Sequence, residues 1–178
     1  MTDWKTRDVE EALPALRRYA RALTRDPGAA DDLVQDTLLR AYERARTFRS
    51  DRSLKAWLLS ILHNCFVDNE RRQAVERRHR DDPARVDALA AAAPADPEYR
   101  LYLRQVAERF AELPVEQRSV LHLVAVEGMS YHEAAEAFRL PVGTIMSRLS
   151  RARERLRRAE EGVPHGSPLR IIGGRDER

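Results

Sequence analysis

The chain has 178 residues, of which 43% are hydrophobic, 34% charged and only 6% aromatic, and its formal net charge is +3. This length suits one medium domain or two small ones with largely aliphatic cores. So small a net charge excludes nucleic-acid binding through bulk charge, and any such function requires local clusters of basic residues.

The basic residues are almost all arginine, since lysine occurs only at Lys5 and Lys55. Arginine suits phosphates and guanine edges, but a GC-rich genome gives the same bias, and both explanations stay open.

Cys65 is the single cysteine, which excludes an intrachain disulfide. The charged N-terminus lacks the apolar core of a signal peptide, and no apolar run approaches the ~20 residues that span a bilayer. We therefore expect a soluble, cytoplasmic protein that does not insert into a membrane.

Three helices are predicted in the first 77 residues, because apolar residues recur there at helical spacing and no alternating run indicates a strand. Asp26, followed by Pro27, predicts an N-cap for the second helix, and Ser53 predicts one for the third. The three apolar stripes are Leu13, Leu16, Ala20 and Leu23; then Leu33, Val34, Leu38, Ala41 and Tyr42; then Leu54, Trp57, Leu58, Ile61, Leu62 and Phe66.

Residues 78–98 interrupt this periodicity with three prolines and an alanine run, and they read as a linker. A second periodic region covers residues 99–160, and residues 161–178 carry four glycines and two prolines, which is typical of a loose tail. The apolar stripe of the second region is Leu101, Leu103, Val106, Phe110, Leu113, Val120, Leu121, Val124 and Val126. We predict an all-α fold of two small helical domains, residues 10–77 and 99–160, joined by a flexible linker.

A helix-turn-helix is predicted near the end of the second domain. After Gly128, the S-x-x-E capping box of Ser130 and Glu133 begins a short helix, and the break RLP leads into a basic helix from Val142. Ile145, Leu149, Ala152 and Leu156 form the inward face of that basic helix, whereas Thr144, Ser147, Arg148, Ser150 and Arg151 lie outside it. A structural hairpin with a solvated basic face is the alternative. The contrast between a neutral and a basic helix favours DNA binding.

The run LPVEQRSVLHLVAVEGMSYHEAAEAFRLPVGTIMSRLSRARERL resembles region 4 of the extracytoplasmic-function sigma factors. ADDLVQDTLLRAYERARTFR and LKAWLLSILHNCFVDNERR resemble region 2 of the same family. The resemblance covers about residues 10–158 and occurs in two parts, in the right order. It implies a sigma factor that binds core RNA polymerase, recognises promoter DNA and promotes transcription initiation.

Carried over position by position, the resemblance places Thr144, Ser147, Arg148, Ser150 and Arg151 on the −35 element. Met146 departs from the family pattern, which usually has lysine or arginine there, so one contact is expected to be missing and the −35 preference to be altered.

The resemblance also places the second helix on the coiled coil of the polymerase largest subunit. The residues implied in that contact are Asp31, Asp32, Gln35, Asp36, Leu39, Arg40 and Glu43, with Leu39 as an apolar anchor and Arg40 paired to an acid. From the residues alone, the same acidic face also reads as a solvated surface with a favourable helix-dipole contribution.

The −10 element is expected to contact the third helix and the loop before it. An asparagine beside basic groups suits an unstacked base and its phosphates, and the loop of the family captures a base flipped from the DNA. The residues are Phe48, Arg49, Ser50, Asp51, Lys55, Asn64, Arg71 and Arg72. The loop reads FRSDRS, where many relatives have glycine after the arginine, which leaves the preferred base open.

Family members are generally held by an anti-sigma factor, so the resemblance implies such a partner. The run LHNCFVD is similar to the branch that serves general stress responses in some proteobacteria, which implies a stress role.

No enzymatic activity, cofactor or metal site is expected. HEAAE at His132 lacks the second histidine of a zinc site, and His63 and Cys65 are two residues apart, so they do not share a helix face. Two other functions remain: a stand-alone helix-turn-helix regulator, and a helical adaptor that binds only proteins. The hypothesis of a regulator gives residues 47–72 no role. The hypothesis of an adaptor gives no role to the basic faces of the third helix and of the helix that begins at Val142.

Overall fold

The computed structural model describes residue 4 and residues 6–49, 51–77 and 97–160; at residues 6, 74–77, 97–102, 159 and 160 it describes the backbone only. The described ranges form the α-helices α1 (Thr6–Thr24), α2 (Pro27–Glu43), α3 (Leu54–Arg77), α4 (Pro97–Glu112), α5 (Val115–Leu121), α6 (Tyr131–Phe138) and α7 (Val142–Glu160). No strand occurs in these ranges, and the all-α prediction is confirmed. The predicted tail, and the predicted linker up to residue 96, lie outside them.

The chain divides into two compact units, the first built around α1, α2 and α3 and the second around α5 and α7. In the first unit each of the three helices packs against the other two. Leu16, Leu33, Leu58 and Leu62 are among the buried residues of this core. Tyr19 is also buried, and its hydroxyl lies 3.0 Å from Nδ1 of His63, which ties α1 to α3.

The predicted caps of α2 and α3 are confirmed. Oδ1 of Asp26 accepts a hydrogen bond from the backbone N–H of Ala29 at 2.7 Å, with Pro27 as the first residue of α2. Oγ of Ser53 accepts one from the N–H of Ala56 at 3.3 Å. These bonds satisfy donors that the first turn of a helix leaves without partners, so each cap fixes where its helix begins.

Three residues of the predicted stripes are exposed: Tyr42, Val126 and Leu103, the last of which is 37% exposed. Tyr42 is 74% exposed, although the stripe on α2 predicted it to be buried, and Val126 is 54% exposed. Val126 ends a π-helical turn, His122–Val126, that follows α5. The wider turn shifts the helical register, and a stripe drawn with a 3.6-residue period therefore misplaces its last member.

The second unit contains a buried arginine that the apolar stripes did not predict. Arg118 of α5 is only 4% exposed, and its Nη1 donates hydrogen bonds of 3.0 Å to the carbonyl oxygens of Ala111 and Leu113. Those carbonyls lie at and just beyond the C-terminal end of α4, where a helix leaves acceptors without intrahelical partners. Arg118 therefore joins the end of α4 to α5.

We expect Arg118→Ala to lower the free energy of unfolding of the second unit by about 2–3 kcal/mol, because hydrogen bonds from a charged donor to buried carbonyls are lost. Urea denaturation followed by circular dichroism measures this loss. Arg155→Ala, the same change at an exposed position of α7, is the control and should shift the free energy by less than about 0.5 kcal/mol. Equal effects of the two variants would contradict the role given to Arg118.

The predicted helix-turn-helix is present as α6, a tight corner and α7. Gly128 has a φ of +73°, a conformation that favours glycine, just before α6. The capping box is confirmed, since the N–H of Ser130 donates to Oε2 of Glu133 at 2.8 Å and the N–H of Glu133 donates to Oγ of Ser130 at 3.2 Å. At the corner Arg139 has a φ of +53°, and the N–H of Leu140 donates to the carbonyl oxygen of Ala135 at 3.0 Å. These bonds end α6 within three residues of the start of α7.

Candidate functional site

The first turns of α7 separate an inward from an outward face. Ile145, Leu149 and Ala152 are buried, as the sequence predicted. The most exposed residues of this segment are Met146, Ser147, Ser150 and Arg151, which follow the i, i+1, i+4, i+5 spacing of one helix surface. Thr144 and Arg148 are half-buried at its edges. The structure thus brings the five predicted −35 residues to one side of α7 and adds Met146 to them.

Some arginines of α7 form ion pairs with other residues, and others do not. Among the residues that the structure describes, Arg148 and Arg151 make no ion pair, whereas Arg157 and Arg158 both bind Glu154, at 2.8 and 2.7 Å. The hydrogen bonds from Arg157 and Arg158 lower the pKa of the Glu154 carboxyl. Arg148 and Arg151, in the first half of α7, thus carry unpaired positive charge beside the small hydroxyl side chains that let a helix approach DNA closely.

The outer face of α2 carries exposed acidic and apolar groups together. Asp31, Asp32, Asp36 and Glu43 are exposed, and no ion pair engages them within the described part of the chain. Gln35 is exposed too. Between these polar residues Leu39 is 60% exposed, and Tyr42 lies three residues further on the same face. Exposed apolar residues ringed by polar ones are typical of a protein-binding surface, and this pair is the apolar centre of the face.

Arg40 was predicted to reach an acid of the polymerase, but in the structure it binds Asp68 of α3. Its Nη1 lies 3.0 Å from Oδ2 of Asp68, and this hydrogen bond raises the pKa of the guanidinium. The buried thiol of Cys65 lies nearby, and burial raises its pKa, as expected for a small side chain of the core. Sequence reasoning gave Asp68 no role, although its position in the D-x-x-R part of the quoted segment was the available signal.

Phe48 of the predicted −10 loop packs into a cluster of three aromatic rings. Its ring centroid lies 5.4 Å from that of Trp4 and 5.3 Å from that of Trp57, and the two tryptophans are 5.1 Å apart. Arg49 and Asp51 form an ion pair with each other at 2.8 Å. Ser50 lies outside the described residues. Trp4 was not predicted to belong to this loop, because nothing in the local pattern of the N-terminus indicates a contact so distant along the chain.

We expect Phe48→Ala to destabilise the first unit by about 1–2 kcal/mol, since a half-buried ring leaves an aromatic cluster. Trp4 and Trp57 are the only tryptophans of the chain, so intrinsic fluorescence reports on this cluster directly. Urea titration followed by fluorescence measures the change. Thr47→Ala, an exposed position next to it, is the control. A fluorescence spectrum and midpoint that are unchanged in Phe48→Ala would show that the three rings do not pack together.

The other predicted −10 residues lie along α3. Arg71 and Arg72 are exposed, and Lys55 and Asn64 are half-buried. Nδ2 of Asn64 donates a hydrogen bond of 2.7 Å to the carbonyl oxygen of Ser60, which fixes the amide and leaves its Oδ1 without a partner among the described residues. A fixed amide acceptor on a basic helix suits an unstacked base.

In the described part of the chain, no group of three or more His, Cys, Asp or Glu side chains is arranged to hold a metal ion. None of the described helices has the length and apolar character needed to cross a membrane.

Two family models match the chain. Residues 9–63 match the Sigma2 domain of PhyR, and residues 103–156 match Sigma-70, region 4. These two ranges contain every predicted contact residue except Asn64, Arg71 and Arg72.

Curated relatives match over most of the chain. The ECF RNA polymerase sigma factor EcfG of Rhodopseudomonas palustris is 35% identical in an alignment of 180 positions that covers 98% of each protein. The ECF RNA polymerase sigma factor SigM of Mycobacterium tuberculosis is 34% identical and covers 80% of this chain and 70% of its own.

Solved structures agree. The sigma factor RpoE from Bartonella quintana, crystallised with the anti-sigma factor NepR, is 33% identical with a TM-score of 0.77, covering 88% of this chain and 96% of its own. CnrH, in complex with the cytosolic domain of CnrY, is 29% identical with a TM-score of 0.61, covering 86% and 84%. The chain therefore belongs to the extracytoplasmic-function family of RNA polymerase sigma factors.

Proposed function

We propose that the two units of this sigma factor divide its work, with residues 10–77 binding core polymerase and the −10 element and residues 99–160 reading the −35 element. The observation that supports this division is where the exposed charged side chains without ion pairs lie on α2 and α7. On α2 the exposed groups are acidic and surround Leu39 and Tyr42, whereas on the first half of α7 they are arginines and hydroxyls. An acidic surface repels DNA phosphates and suits a basic protein, while the surface of α7 suits DNA.

The polymerase contact consists of Asp31, Asp32, Gln35, Asp36, Leu39, Arg40 and Glu43, with Tyr42 added. Leu39 and Tyr42 bury apolar area, and the surrounding carboxylates select a basic partner. Arg40 acts from within the unit, because its ion pair with Asp68 joins α2 to α3 and holds the polymerase-binding helix at a fixed angle to the −10 helix.

The −10 contact consists of Asn64, Arg71 and Arg72 on α3, with Lys55 and the loop from Phe48 to Asp51. Phe48 and Trp57 shape the loop from inside their aromatic cluster. Asn64 presents its Oδ1 to an unstacked base, and the arginines hold the adjoining phosphates.

An anti-sigma factor is the second partner in this proposal, and a stress response is the setting. The support is the 33% identity with the Bartonella quintana sigma factor, whose structure contains the anti-sigma factor NepR. The chain acts in the cytoplasm, where RNA polymerase lies, and its role is to direct initiation and not to catalyse a reaction. The uncommitted face of α2 is the surface that an antagonist must cover to keep the protein off polymerase.

Reconstitution with core RNA polymerase tests the proposal. Promoter-dependent transcripts should appear only with both components, and the free protein should bind duplex DNA weakly with a shallow dependence on salt, because few phosphates are contacted. A stand-alone regulator would instead bind duplex DNA tightly without polymerase and start no transcript. That outcome would overturn the division of work proposed here.

A further inference from the structure

Met146 is an exposed apolar residue on the outward face of α7. It is 51% exposed, so it is not part of the core. On the helix surface its neighbours are Gly143 at i−3, Ser147 at i+1 and Ser150 at i+4, which are all small. The space above Gly143 is open, since a Cβ built there meets no atom within 4 Å. The thioether of Met146 is therefore accessible to a molecule that lies along this part of α7.

An open groove of about 400 Å³ begins at Met146. Tyr131 and Leu149 add to its apolar lining. Its polar lining is Ser150, Arg153, Glu154 and Arg157, of which Glu154 and Arg157 are paired with each other. A DNA strand along this groove would have its phosphates near Arg153 and its base edges near the apolar lining. The groove thus combines an arginine, which attracts DNA phosphates, with an apolar lining that does not attract them.

The chemistry of methionine narrows what this position can read. A thioether has no hydrogen-bond donor and is only a weak acceptor, so it cannot grip a phosphate or a guanine edge as lysine or arginine would. The major groove exposes one prominent apolar group, the C5 methyl of thymine. A flexible, polarisable side chain with open space around it is well suited to pack against a methyl group.

We propose that Met146 is a specificity-determining residue that reads the C5 methyl of a thymine in the −35 element. The inference rests on the proposed binding of α7 to the −35 element, and it adds that this binding prefers thymine at one position. Arg151 and Arg148 anchor the helix, and Met146 selects thymine at one position. A promoter of this protein then carries a thymine where relatives with lysine or arginine at the equivalent position do not require one.

Uracil substitution tests the methyl contact directly, because uracil differs from thymine only by that methyl group and keeps the same hydrogen bonds. Holoenzyme assembled from core polymerase and the full chain would first select −35 sequences from a randomised promoter library. Each thymine of the selected element is then replaced by uracil in synthetic duplexes. At one position the substitution should weaken binding by about fourfold, the value of one buried methyl group.

Three variants assign that loss to Met146. In Met146→Ala the uracil effect should vanish, and in Met146→Leu it should persist, since leucine keeps an apolar side chain of similar size. Met146→Arg should lose the thymine preference and steepen the slope of log K against log salt by about 0.9, because one phosphate contact is added.

The outcomes separate this proposal from the role of α7. If no uracil substitution weakens binding while Arg151→Ala still does, α7 reads the −35 element without Met146, and the proposal is wrong. If neither has an effect, α7 is not the reader, and both proposals fail. A uracil effect that stays the same in Met146→Ala assigns the methyl contact to another residue and also overturns the proposal.

Discussion

Leu39→Asp is expected to weaken the binding of the sigma factor to core RNA polymerase by at least 100-fold. Leu39 is the apolar centre of the α2 face and is 60% exposed, so its replacement removes no core packing. In the complex, however, the change places a carboxylate in a desolvated contact and beside four other carboxylates, which costs about 3 kcal/mol or more. Fluorescence anisotropy of labelled protein titrated with core polymerase measures the loss.

Arg17→Ala is the matched control, because it changes the net charge by the same amount on the exposed surface of α1. It should leave polymerase affinity within about twofold of the original protein. Both variants should unfold at the same urea concentration as the original, which confirms that the effect arises in the contact. If Leu39→Asp binds polymerase normally, the α2 face is not the docking surface, and the acidic residues form only a solvated face.

The α2 helix shows which structural features could be predicted from its sequence and which could not. The helical period predicted three of its five buried residues, Leu33, Val34 and Ala41, and the Asp26–Pro27 pair predicted its N-cap. Both patterns depend on neighbours within one or two turns. The helical period could not determine whether Tyr42 is buried or exposed. An aromatic ring at the edge of a stripe is buried only if another helix covers it, and none of the described helices of the first unit covers this one. Family resemblance, not periodicity, indicated the function of the face.

Contacts between distant parts of the chain were the part that sequence reasoning missed. Arg40 meets Asp68 across 28 positions, and Trp4 meets Phe48 and Trp57 across more than forty. Arg118 and the buried pair of His122 and Glu127 lie in a segment that a stripe treats as apolar. Nε2 of His122 is 3.3 Å from Oε1 of Glu127. Such polar groups are buried because a partner is present, and a single sequence does not name the partner.

Arg151→Ala should weaken recognition of the −35 element by about 5- to 150-fold, which corresponds to ~1–3 kcal/mol for a bidentate contact to a guanine edge. Arg151 is exposed and makes no ion pair within the described residues, so the change leaves the fold intact. Footprinting of the −35 region by holoenzyme measures the effect. Arg104→Ala, which removes an exposed arginine from α4, is the control and should leave the footprint unchanged.

Asn64→Ala should have the opposite profile, with a normal −35 footprint and impaired strand opening at −10. The change removes one hydrogen bond within α3, to Ser60, and so spares the fold, but it also removes the amide oxygen that we propose contacts an unstacked base. Permanganate probing of unpaired thymines measures opening, and a pre-opened template should restore transcription because flipping is then no longer required. If Asn64→Ala instead lost the −35 footprint and opened DNA normally, the assignment of the two promoter elements to the two units would be reversed.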